Sequence, residues 1–406
     1  MPMEMRVKVA VQRGLVVSVA LLSWISVTCW AQAAKSQQSD EAFALEQQGK
    51  VQEAEAAWRA VIKAEPEDAE AYAHLGFLEA RQEHYKEAVP LYRKALMLDP
   101  KIPGLRMNLG LAYFKGGELK EAIDTFDGLL KNTPASSPDA LRLAALMGLA
   151  YYGDGQYAKS IPYLRQATLG DPQNLPFRLL LAHSCLWSKQ YQCVMDVYHE
   201  ILTLNAESAE ADMLAGEALD EMKDHAGAMQ QFRAAVKANP KEPNVHFGLG
   251  YLLWSQSQYE EAAQEFQAEL DNVPNQPSAL AYLADCNMQL GHPETARPLI
   301  EQAIKLEPKM ELPHLDLGIL DAGAGLRDDA LREFKVAEGL SPEDVNVHWR
   351  MARLYQAMGR KDEAKVEFDK TSSLHKAANA TIFEELDKAR ANGKPVGDSD
   401  AAPVNP

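Results

Sequence analysis

The chain has 406 residues, 47% hydrophobic and 24% charged, so it is long enough for several domains and is neither disordered nor membrane-embedded as a whole. Acidic residues number 58 against 41 basic ones, a formal charge of −17, which argues against capture of nucleic acid by bulk electrostatics. Four cysteines are too few for a disulfide-built scaffold.

The first element in chain order is an address. Residues 1–33 read as a signal peptide, with Arg6, Lys8 and Arg13 ahead of an apolar run from Gly14 to Trp30 and an A-x-A cleavage site at Ala31-Gln32-Ala33. Cleavage after Ala33 predicts a periplasmic or secreted protein. The alternative is an uncleaved N-terminal membrane anchor, because the run is long for a signal core and short for a full span. No later stretch is apolar for long enough to cross a bilayer, so no membrane insertion is expected after cleavage.

A repeat follows. Prolines at 66, 100, 134, 172, 240, 274, 308 and 342 are mostly 34 residues apart, with Ala206 at the midpoint of the one double step and a four-residue insert near 137–140. If each proline is position 32, position 8 is Gly or Ala in all ten registers, from Ala42 and Gly76 to Ala352. Position 20 is small in nine of them, and position 24 is always bulky, as in Trp58, Tyr92, Phe126 and Phe334. The pattern predicts two amphipathic helices per unit, pressed together through the small residues. Glycine at position 15 (Gly49, Gly117, Gly155, Gly291, Gly325, Gly359) ends the first helix and proline at 32 ends the second. One such hairpin cannot bury its own apolar faces, so stacked neighbours must supply the core.

Repeat two, with Tyr72, Leu75-Gly76, Ala88, Tyr92, Ala95 and Pro100, and repeat three, with Leu109-Gly110, Tyr113, Ala122, Phe126 and Pro134, resemble the tetratricopeptide repeat (TPR), here of an exported bacterial type. The resemblance implies an all-α, right-handed superhelical solenoid of about ten TPR hairpins over 35–378. A C-terminal capping helix is expected over 377–392 and a disordered tail over 393–406. Repeat five departs most, with Cys185, Val194 and Ala206 at positions that elsewhere hold other residue types.

Catalytic constellations are missing from the sequence. There is no HExxH, GxSxG or Walker loop, and the ten histidines lack metal-ligand spacing, so neither an enzyme nor a cofactor or metal site is expected. His246, His314 and His348 all fall at position 4, a packing position. Cys185 and Cys193 sit on the two helices of one hairpin. A structural disulfide, a pair of reduced packing thiols and a redox pair all remain open, although the CxxC spacing of redox motifs is absent.

In the resembled family, positions 2, 5, 9 and 12 of the first helices line the inner surface. Here they and their neighbours supply Phe77, then Met107, Leu111 and Phe114, then Leu149 and Tyr152, then His183 and Trp187. Repeat six turns acidic with Glu217 and Asp220. Phe247, Tyr251 and Trp254 restore the apolar trend, followed by Met288, Ile319, Trp349 and Arg353. The set that clamps a terminal carboxylate in chaperone-docking relatives is missing, since Met107 and Leu111 stand at two of its positions and only Asn108 fits.

An apolar inner wall exceeds what stacking requires and predicts a non-enzymatic scaffold that binds a protein or peptide segment. The alternative is a glycan-binding factor in envelope polysaccharide assembly or export, with Trp187, Tyr251 and Trp254 stacking on sugars. Oligomeric state is left open.

Overall fold

A computed structural model of the protein describes residues 37–204 and 208–391. The signal peptide, the position of Ala206 and the expected disordered tail lie outside the described residues. Those described are helical, with no strand among them, and form two compact units that divide after Leu204.

Each unit is a stack of five helical hairpins. In the first unit the leading helices are α1 (37–47), α3 (Ala69–Arg81), α5 (Leu105–Lys115), α7 (Pro138–Gly153) and α9 (Leu175–Trp187). Their partners are α2 (Val51–Ala64), α4 (Tyr85–Leu98), α6 (Leu119–Leu130), α8 (Tyr157–Gly170) and α10 (Tyr191–Thr203). In the second unit α11 (Ala209–Glu221), α13 (Val245–Ser255), α15 (Pro277–Gln289), α17 (Glu311–Gly323) and α19 (Val345–Ala357) lead. They pair with α12 (His225–Ala238), α14 (Tyr259–Asn272), α16 (Pro293–Leu306), α18 (Arg327–Leu340) and α20 (Lys361–Ala391). Within each unit a second helix also packs on the first helix of the next hairpin. The result is an all-α solenoid without a single centre.

The small-against-bulky rule holds in three dimensions. A Cβ added at Gly110 would lie 2.5 Å from the Phe126 ring, one at Gly318 2.5 Å from Phe334, and one at Gly76 2.8 Å from Tyr92. Position 20 is buried in every repeat, from Ala54 at 0% to Ala364 at 5% exposed. Its one hydroxyl, Ser160, is satisfied by Ser184 Oγ at 2.7 Å. Gly318→Ala must displace Phe334 and is expected to cost about 1–3 kcal/mol, read as a lower urea midpoint.

All ten residues at position 15 have positive φ, not only the six glycines. Glu83, Lys189, Lys223 and Ser257 adopt φ 64°, 58°, 67° and 59°. The hairpin turn therefore imposes the left-handed conformation whatever the side chain, at a cost that glycine avoids. Ser257→Gly is expected to stabilise the fold by about 1 kcal/mol in the same urea titration.

Two expectations change in detail. The insert near 137–140 lengthens the start of α7, where Pro138 takes the first turn and Ser137 Oγ accepts from the Ala140 N–H at 3.1 Å. The capping helix expected over 377–392 is not a separate element, because α20 runs unbroken from Lys361 to Ala391. Lys376 stands where other repeats place proline, and neither proline nor glycine follows before Gly393, so nothing stops the helix. No helix among the described residues is long and apolar enough to cross a membrane.

The position-4 histidines do more than fill space. In each, Nδ1 meets a glutamate of the same hairpin (His246 with Glu265 at 2.6 Å, His314 with Glu333 at 2.7 Å, His348 with Glu367 at 2.7 Å). The other ring nitrogen meets the carbonyl of the preceding repeat's proline, Pro240, Pro308 or Pro342, at 2.9–3.1 Å. Each histidine thus ties two successive hairpins of the second unit.

Candidate functional site

The sequence-predicted groove residues all lie on first helices, and packing leaves them unequally exposed. In the first unit, Met107, Leu111 and Phe114 are half-buried against the core between α4 and α7, and Leu149 is half-buried too. Phe77 stays 39% exposed, beside a cleft of about 390 Å³ that His74, Glu46, Ile102 and Asn108 also line. Glu46 is buried and accepts from Trp58 Nε1 at 3.1 Å, while His74 Nδ1 lies 2.9 Å from the same oxygen. Phe43 and Glu46 escaped the sequence reading, although extending positions 9 and 12 into repeat one would have found both.

Further along, Tyr152, His183 and Trp187 converge. Trp187 is 49% exposed, with ring centroids 5.7 Å from Tyr152 and 5.1 Å from His183. Tyr157, at the start of a second helix, joins them at 4.6 Å from Trp187. Position rules for first helices could not have included it.

In the second unit, Glu217 is exposed and Asp220 Oδ1 lies 2.7 Å from His225 Nδ1. Phe247, Tyr251 and Trp254 gather around Tyr282, at 5.8, 5.4 and 4.9 Å between ring centroids. They are not equivalent. Phe247 also packs on the fully buried Phe266 at 5.6 Å, so it is largely core, whereas Tyr251 is 40% exposed. Met288 is half-buried against its neighbours' core. Ile319, Trp349, Arg350 and Arg353 line a cleft of about 490 Å³, with both guanidinium groups over the Trp349 ring at 5.2 and 5.5 Å.

One carboxyl group, that of Asp285, lies beside these rings. Trp254 Nε1 donates to Asp285 Oδ2 at 2.5 Å and Gln289 Nε2 to its Oδ1 at 3.1 Å. Asp316 is 2% exposed. Burial holds its carboxyl well above the usual carboxylate range, the charges of Asp285 and Glu311 add to this, and Arg350 opposes it. Burial, with a contribution from Asp344, pushes Glu311 up to about 7. Neither acid was singled out from the sequence, because their burial depends on the neighbouring repeats.

Cys185 and Cys193 form a disulfide, with Cα atoms 5.8 Å apart, across the turn of the hairpin whose position 15 is Lys189. Cys286 is a buried thiol, raised to about 12 by desolvation. One group among the described residues could offer three ligand atoms to a metal, namely Glu338, His348 and Glu367. Lys370 Nζ already neutralises Glu338 at 2.8 Å, and both nitrogens of His348 are engaged in the inter-repeat tie. Val236 and Ile304 occupy the equivalent of Glu338 beside His246 and His314, so the histidine–glutamate pair belongs to the repeat and needs no ion.

Family models described as tetratricopeptide repeat match residues 40–103, 79–147, 141–174, 196–243, 216–277 and 247–311. The chain belongs to the tetratricopeptide repeat family. It is 24% identical over 304 residues to the Protein CTR9 homolog of Arabidopsis thaliana, covering 72% of this chain and 27% of that protein. It is 20% identical over 305 residues to anaphase-promoting complex subunit 3 of Schizosaccharomyces pombe, covering 74% of this chain and 45% of the relative. The chain thus spans less than half the length of either. A solved tetratricopeptide repeat protein from Parabacteroides merdae aligns over 58% of this chain and 92% of its own, at 18% identity and a TM-score of 0.47.

Because Glu311 ionises less readily in the folded TPR array than its ordinary 4.5, the folded state holds its proton more tightly than the unfolded one. That term favours folding at low pH and is lost as pH rises from about 4.5 to about 7. Glu311→Gln is expected to raise the urea midpoint at about pH 8 and to leave it unchanged at about pH 4. The partly solvated site limits the gain to on the order of 1–2 kcal/mol.

Proposed function

We propose that this TPR protein is a non-enzymatic scaffold that holds a segment of another protein against the ring-bearing faces of its first helices, in the periplasm or outside the cell. TPR arrays serve protein–protein interaction, and the fission yeast relative is named as a subunit of a complex. The observation that carries the reading is the exposure of Trp187 and Tyr251, each at the edge of an aromatic cluster that hairpin packing leaves uncovered. Rings placed this way offer large contact area at little entropic cost. The compartment rests on the leader at residues 1–33, and N-terminal sequencing of the exported protein would begin at Ala34.

A glycan gains less support. Sugar sites need solvent-facing amides and carboxylates beside the rings, but both oxygens of Asp285 are taken by Trp254 and Gln289, and the unpaired oxygens of Asp316 and Glu311 are shielded from solvent.

Trp187→Ala and Tyr251→Ala, singly and together, test the reading in affinity capture from native envelope extract. Captured partner should fall about tenfold or more for the double variant, with helicity and Tm unchanged, because neither ring is core. Undiminished capture removes the groove from the mechanism. Phe247→Ala is the contrast: it should lower stability by about 3 kcal/mol, since that ring packs on Phe266.

A further inference from the structure

Acidic residues outnumber basic ones in this chain by 58 to 41, yet the cleft of about 490 Å³ on α17, α18 and α19 is lined by three arginines and by no acid. Arg350 and Arg353 come from α19, and Arg327 is the first residue of α18. All three are exposed, and none forms an ion pair or a side-chain hydrogen bond with a described residue. Nearby arginines do find acids, as Arg297 does with Asp321 at 2.6 Å and Arg360 with Glu363 at 2.7 Å. The acid that faces Arg350 electrostatically is Asp316, which is 2% exposed and whose burial favours the neutral form.

The two α19 cations are held together. Their guanidinium carbons lie over the same Trp349 ring, 5.2 and 5.5 Å from its centroid. The ring attracts each of them and so offsets the repulsion between two like charges. A guanidinium held over a ring keeps its N–H donors for an acceptor. Ile319, Ala322 and Ala357 give the cleft apolar wall, and a Cβ added at Gly323 would meet nothing within 4 Å, so the space beside the cations is open.

We propose that this cleft receives an acidic side chain, Asp or Glu, of the bound protein segment, with Arg350 and Arg353 sharing its carboxylate, Arg327 adding positive charge, and an apolar neighbour of the acid resting on Ile319 and Ala322. The proposal rests on the reading of the first-helix face as a protein-binding surface and names the partner's chemistry at its last two hairpins. Two donor forks already placed over one ring lose little freedom when they take a carboxylate. A basic side chain would meet three cations, and a neutral one would leave them unpaired. No amide side chain lines the cleft to hold the backbone of a chain end, so the anion is an internal side chain and not a terminal carboxylate. Because the chain as a whole carries −17, an acidic residue is repelled by most of the surface and attracted here, which sets the register of the segment.

The test selects random peptides, fused to phage coat protein through their C-termini, against the full chain, with the Arg353→Gln and Tyr251→Ala variants as separate counter-selections. Peptides enriched over Arg353→Gln should share an Asp or Glu beside an apolar residue. A synthetic copy, amidated at its C-terminus, should bind about tenfold more tightly than the same peptide with Asn or Gln in place of the acid. Arg350→Gln and Arg353→Gln should each remove most of that difference while retaining the weaker apolar binding. Arg353→Gln, whose side chain faces no buried acid, keeps the test decisive if Arg350→Gln fails to fold. Gly323→Leu should block the acidic peptide without lowering Tm, since its added side chain enters open space. Equal binding of the acidic and amide peptides overturns this inference and leaves the protein-binding reading standing, as does enrichment over Tyr251→Ala but not over Arg353→Gln. A preference for acid that survives both arginine substitutions assigns the carboxylate elsewhere and overturns this site. Loss of binding on C-terminal amidation overturns the internal side chain. Acid-dependent binding that emerges only when residues 393–406 are removed assigns the cleft to this chain's own Asp398 and Asp400 and overturns the partner as occupant. Failure to enrich any peptide over either variant overturns both readings.

Discussion

The contact between position 8 and position 24 governs what the rest of each hairpin can be. A glycine at position 8 lets a ring approach the first helix so closely that a single methyl would collide, at 2.5 Å for both Gly110 and Gly318. That approach fixes the rotation of the first helix about its own axis. One face meets its partner helix, and another meets the previous hairpin. Positions 5 and 9 share what remains unequally: Tyr251 at position 9 is 40% exposed, whereas Phe247 at position 5 packs on Phe266.

The joints between repeats use polar chemistry. His246, His314 and His348 each bridge a glutamate of their own hairpin and a carbonyl of the preceding one. The proline at position 32 therefore has two effects. It ends the second helix, and the carbonyl it leaves outside the helical ladder becomes an acceptor for the next repeat. Such ties occur three times in the second unit. The first unit relies on other pairings, such as Trp58 and His74 on Glu46.

Period and small-residue spacing carried the fold, because a repeat repeats its contacts. First-helix starts at position 1 or 3, with α7 the exception, and turns at position 15 follow the register set by prolines such as Pro100 and Pro274. The four non-glycine turns show that backbone geometry is dictated by the hairpin even where the residue disfavours it. The candidate site was less legible. Position rules placed Tyr251 and Trp187 on the open face, but they did not separate these from Phe247, whose contact with Phe266 is made within its own hairpin. They missed Tyr157, which reaches the face from a second helix. Lys376 in the proline position was visible, yet it marks the continuation of α20 and not a new helix. The cysteine pairing stayed open because spacing alone does not set how a turn brings Cys185 and Cys193 together.

Buried acids occur in both units, but Glu46 of the first is bonded to Trp58 and His74, whereas Asp316 and Glu311 of the second each keep an unbonded oxygen. Apolar residues of similar size at Asp316 and Glu311 would remove two unpaired oxygens from the interior, and such replacements are commonly neutral or stabilising. A solenoid gains nothing in stacking from keeping them, since the corresponding positions elsewhere, such as Tyr282 and Arg350 at position 6, are filled by other chemistry.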